Sequence, residues 1–107
     1  MGIKEETSEI YVIVANEPVS EAYASTWTVE AYNNKHVADV VLKLLEILLK
    51  DLLDSLLSRS ARLEETEMII EQIMVIDPQF PGLDENGNCL VSYDLHTTKF
   101  TENETIH

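Results

Sequence analysis

Cysteine, glycine and basic charge are scarce in this sequence, and each scarcity removes a class of chemistry. With Cys89 the single cysteine among 107 residues, neither an internal disulfide framework nor a paired-cysteine metal motif can form. The three glycines, Gly2, Gly82 and Gly87, are too dispersed to bring successive backbone N–H groups to a phosphate, which excludes P-loop and dinucleotide sites. His36, His96 and His107 stand far apart and no His-Glu-x-x-His occurs, so no zinc spacing is present. A Cys89–His96 nucleophile pair is disfavoured because opposite strand parity directs the two side chains to different faces. No uninterrupted apolar run is long enough to span a bilayer, and no basic start followed by an apolar core and a small-residue cleavage site suggests secretion. The expected compartment is the cytoplasm, and the Asn103-Glu104-Thr105 sequon is read as chance.

Acidic charge is abundant. Twenty acidic residues face seven basic ones, a net charge of −13, distributed as −4 over residues 1–35, −2 over 36–58 and −7 over 59–107. Such a balance makes direct contact with nucleic acid or an anionic membrane unfavourable and makes a basic protein the natural complement.

The strongest pattern is residues 35–58. Val37, Val41, Leu45, Leu48, Leu52 and Leu56 fall on one side of a helical wheel, while Asp39, Lys43, Glu46, Lys50 and Asp54 fall on the other. Asn33 and Asn34 mark its start, and Ser58 with the following arginines marks its end. The apolar arc is wider than one sheet needs, and Leu42, Leu45, Leu49, Leu52 and Leu56 keep the 3-4 spacing of a helix–helix seam. Either other segments of the chain or a second subunit must cover the surplus.

Before this helix, residues 9–15 form an apolar β-branched run that ends at Asn16-Glu17-Pro18. Ile10, Val12 and Val14 are expected to face inward there, and Tyr11 and Ile13 outward. Residues 23–32 alternate, with Tyr23, Trp27, Val29 and Ala31 on the covered face and Thr26, Thr28 and Glu30 opposite. After the helix, residues 61–76 are the ambiguous stretch. A strand from about Glu67 places Met68, Ile70, Met74 and Ile76 inward, while the alternative prolongs the helix or adds a short second one. Residues 79–88 read as a loop turning at Asn86-Gly87, and residues 89–96 as a strand with Cys89, Val91, Tyr93 and Leu95 inward. The expected fold is a single α+β domain over residues 1–107, with frayed ends at 1–8 and 101–107. Its order is β-β-α-β-β, an antiparallel or mixed sheet of about four strands on one long helix.

Catalytic constellations are missing, so the chain is expected not to be an enzyme and to need no cofactor or metal. The Asp84–Asn88 run alternates oxygen ligands, but an EF-hand wants glycine sixth and Glu twelfth, where this sequence puts glycine fourth and Leu95 twelfth. The Glu64, Glu65, Glu67 and Glu71 run reads as a solvated face. On the expected parities Glu30, Glu67, Glu71, Asp94 and His96 share the outward sheet face with Tyr11, an acidic plateau with an aromatic element. Asp84 and Glu85 add charge in the loop beside Phe80 and Leu83. The expected function is that of a small acidic inhibitor, of the immunity-protein, antitoxin or phage-inhibitor kind. It would occlude the active or nucleic-acid-binding site of a basic partner, such as a nuclease toxin or other nucleic-acid enzyme. The alternative is a homodimeric chaperone-like or assembly domain that closes its surplus leucine face on a second copy. Small acidic secretion chaperones are similar in charge and size only.

Overall fold

The computed structural model describes residues 7–20, 22–58 and 63–101. They form β1 (Thr7–Ser20), β2 (Tyr23–Tyr32), α1 (Lys35–Leu57), α2 (Leu63–Ile76) and β3 (Ser92–Thr101). The class is α+β, with three antiparallel strands in the order β2-β1-β3 and both helices following the first hairpin. Among the described residues there is no fourth strand. Residues 67–76, expected as a strand, belong to α2, and the order is β-β-α-α-β.

The helix wins over residues 63–76 because Thr66, Ile69, Ile70, Ile73 and Ile76 recur at helical spacing. Thr66 and Ile73 are buried, and the other three are half-buried. Glu64 and Glu65 in the first turn complement its positive end. The strand reading would bury Met68 and Met74, which are 58% and 43% exposed.

α1 agrees with its sequence signals. Asn34 caps it, its side chain accepting from the Val37 backbone N–H at 3.2 Å, and Ser58 ends it. Ala38, Leu45, Leu48 and Leu52 are its buried face. Leu45 and Leu52 have no solvent exposure, so the centre of the suspected leucine seam is interior. α2 supplies part of the cover and is tied to α1 by a 2.8 Å hydrogen bond between the Ser55 and Thr66 hydroxyls. Arg59 and Arg62, expected to suit the α1 terminus, lie outside the described residues.

β1 is apolar on both parities, which is why alternation chose its buried face wrongly. Ile13 and Ala15 are fully buried, whereas Ile10, Val12 and Val14 lie on the other face and are half-buried. β1 also runs through Pro18, beyond the expected break. Its pairing with β3 stops at Asn16, so Pro18 sits where β1 has a partner on one side only and the missing N–H is tolerated. In β2 a bulge resets the parity: Ile13 pairs with Glu30 and Val14 with Thr28, leaving Val29 as the extra residue. Beyond the bulge Tyr32 packs against the core, while Ala31, expected inward, is exposed, as is Tyr23.

β3 starts at Ser92, later than expected, and Tyr93 and Leu95 keep their inward parity. Its register with β1 is unbroken from Asn16↔Ser92 to Thr7↔Thr101. Thr7, Ser8 and Thr101, expected as frayed ends, therefore belong to the sheet. The core joins Ile13, Ala15, Leu45, Leu52, Ile73 and Tyr93 between one sheet face and the helices. Among the described residues, no helix is long and apolar enough to cross a membrane.

Candidate functional site

The residues expected to form one acidic plateau are distributed over separate surfaces. Tyr11 shares the parity of buried Ile13, on the helix-facing side of β1, and its hydroxyl donates to Glu9 Oε2 at 2.7 Å. That hydrogen bond to a carboxylate raises the phenol pKa. Glu30 sits at the β2 bulge opposite Ile13, where its carboxylate accepts from the Ala31 N–H at 3.2 Å. Glu67 and Glu71 are exposed on α2 instead of the sheet. Asp94 and His96 do lie on the sheet face away from the helices, paired with Val14 and Val12. That face also carries Thr26 and Thr28, so among the described residues its acidic content reduces to Asp94.

Asp84 and Glu85 fall in a different setting. Asp84 organises a turn: its Oδ1 accepts from the backbone N–H groups of Asn86 and Asn88, both at 2.9 Å. Its carbonyl accepts from Gly87 N–H at 3.0 Å. Gly87 has φ +77°, the left-handed conformation that favours glycine. The carboxylate that suggested calcium is thus occupied in shaping the loop.

This loop and the end of the β1–β2 hairpin enclose a cleft of about 460 Å³. Pro18, Val19, Leu83 and Leu90 give it apolar walls, and Glu17, Asp84 and Glu85 its charge. Among the described residues, no lysine, arginine or histidine lines it. Val19 and Leu90 remain 59% and 47% exposed, so apolar surface and carboxylates are offered together. Glu17 escaped the sequence reading because the Asn16-Glu17-Pro18 break separated it from the strand that positions it. Phe80, expected as an apolar anchor, is buried in the core.

A second constellation was also missed. Asp77, 1% exposed, accepts from the Trp27 indole N–H at 2.9 and 3.1 Å, from the Tyr93 hydroxyl at 2.8 Å and from Gln79 N–H at 3.1 Å. Burial, followed by this bond to the carboxylate, holds the Tyr93 pKa far above the ordinary phenol value. The donors come from β2, from β3 and from the turn that follows α2, so the cluster ties the end of α2 to the sheet. Its one sequence signal is Asp77-Pro78, which ends the preceding segment whether that is read as strand or helix.

Cys89 is half-buried, and burial raises its thiol pKa, the opposite of what a nucleophile requires. His96 is exposed on the outer sheet face. Among the described residues, no three His, Cys, Asp or Glu side chains group as metal ligands. Comparison with protein families, curated proteins and solved structures returns no match for this chain.

Proposed function

We propose that this chain is a small acidic inhibitor that binds a basic protein, of the immunity-protein or antitoxin kind, and that the cleft between the hairpin end and the Asp84 turn receives the partner. The supporting observation is the composition of the cleft: three carboxylates beside exposed Val19 and Leu90, with no cation among the described lining residues. An occupant that satisfies both features is a loop bearing lysine or arginine next to apolar residues, as a nucleic-acid enzyme presents around its phosphate-binding site. The carboxylates would stand in for phosphates. The remaining acidic surface would steer the encounter and raise the association rate. Binding, without catalysis or a cofactor, is the activity in this reading, and a single half-buried cysteine suits a reducing cytoplasm.

The test is a pair of affinity captures from the native host, with the parent and with Glu17→Lys/Glu85→Lys as bait at low and high salt. The expected result is a basic nucleic-acid enzyme held by the parent, released by salt and not held by the variant. Retention of the same protein equally by both baits would remove the cleft from the interface. Capture of no basic protein would remove the inhibitor reading.

A further inference from the structure

The inward leucines do not account for all the apolar surface of α1. Val40, Leu44 and Ile47 remain 54%, 45% and 49% exposed, with Val37 at 42%. Their spacing of three, four and three residues sets them in one strip along the helix. Beside the strip runs a shallow groove of about 580 Å³, lined by Asp39, Leu42, Lys43, Glu46, Ile47 and Lys50.

The charges along this groove have a two-fold order. Counted outward from the midpoint between Leu44 and Leu45, Lys43 answers Glu46, Asp39 answers Lys50 and Lys35 answers Asp54, with opposite signs at each equal step. In an antiparallel helix pair whose two-fold axis passes through that midpoint, equidistant residues of the two copies lie at the same height. Lys43 of one copy then meets Glu46 of the other, and Lys50 meets Asp39, each contact occurring twice. The Val40–Leu44–Ile47 part of the strip is centred within one residue of that midpoint, with Val37 extending beyond it at one end. Opposed helices would therefore match apolar side chains and charges in one register, over a seam of about 28 Å.

Charge also selects this surface over others. α1 has three lysines against four acids, whereas the rest of the chain has four basic residues against sixteen acidic ones. Two copies of so acidic a chain repel least where α1 faces α1. Among the described residues, the ion pair within the chain is Lys35–Asp39 at 3.1 Å, which leaves Lys43 and Lys50 for contacts between copies.

We propose that the exposed face of α1 is the two-fold interface of a homodimer, with a second copy of this chain seated antiparallel on the Val40–Leu44–Ile47 strip. The inference is independent of the proposed inhibitory function. The groove and the acidic cleft share no lining residue, so the two proposals rest on separate surfaces.

Sedimentation velocity on the full chain tests it. The parent is expected to be a dimer, and Ile47→Glu, Lys43→Glu and Glu46→Lys should each weaken association at least about tenfold with unchanged circular dichroism, since all three positions are exposed. The decisive arm mixes Lys43→Glu with Glu46→Lys. Each variant alone sets like charges against each other, but in the mixed dimer every altered position faces its opposite, so mixing should restore the dimer. A parent that stays monomeric, a mixture that stays monomeric, or an Ile47→Glu variant that associates like the parent would each overturn the proposal.

Discussion

Trp27 and Tyr93 donate to the same carboxylate oxygen: Oδ2 of Asp77 accepts the indole N–H at 2.9 Å and the phenol at 2.8 Å. A carboxylate just past a helix C-terminus opposes the helix dipole, and a buried one loses its hydration. Asp77 offsets both costs with convergent donors from β2, β3 and its own turn. The arrangement fixes how α2 meets the sheet, which apolar packing alone leaves free to slide.

Asp77→Ala should therefore destabilise the fold by about 3 kcal/mol, because it strands two side-chain donors in the core. Asp77→Asn keeps one acceptor oxygen and should cost less. Chemical denaturation followed by the fluorescence of Trp27, the single tryptophan, measures both variants. An alanine variant as stable as the parent would show that the donors find other partners.

Alkaline pH should act through the same cluster. The folded-state pKa of Tyr93 is raised by burial and by its bond to Asp77. The stabilisation is complete below the unfolded value of about 10 and declines as pH rises above it, because the unfolded chain then releases a proton that the folded chain retains. Melting temperatures should hold below pH 10 and fall beyond it. Tyr93→Phe should fall less steeply, from a lower starting stability, and identical slopes would exclude Tyr93 as the source.

Ile73 and Met68 separate the helix from the strand expected for residues 67–76. Ile73 is fully buried and Met68 is 58% exposed, the reverse of what strand parity assigns them. Ile73→Ala should cost about 3 kcal/mol and Met68→Ala less than about 0.5. Equal losses in urea titrations would contradict the helical face.

What the sequence made legible follows the contrast within each element. α1 was readable because its polar and apolar residues segregate around a full 23-residue helix. β3 was readable because Tyr93 and Leu95 alternate with Ser92, Asp94 and His96. β1 was not, since Ile10, Val12 and Val14 are as apolar as Ile13 and Ala15, and tertiary packing decided between them. In α2 the acids spread around the helix hid an apolar face that runs from Thr66 to Ile76. The candidate site was half-visible: Asp84 and Glu85 are marked by their turn, but Glu17, Val19 and Leu90 join them only through the hairpin's path past the start of β3.

Asp84 serves the turn and the cleft at once, and two substitutions separate these roles. Its Oδ1 holds the Asn86 and Asn88 N–H groups, an acceptance that an asparagine oxygen can reproduce, while its charge lines the cleft. Asp84→Asn should therefore leave the melting temperature nearly unchanged and weaken binding of a cationic probe, such as a peptide alternating lysine and leucine. Asp84→Ala should lose both, with a stability cost of about 1 kcal/mol for the unmade turn bonds at this exposed site. Binding of the probe to the parent should weaken as salt rises, and the asparagine variant should show a shallower salt dependence because one charge has left the cleft. Calorimetric titrations at two ionic strengths read both effects. If Asp84→Asn binds the peptide like the parent at low salt, the carboxylates of this cleft do not recognise cations, and the partner surface must be sought on α2 or on the open face of the sheet.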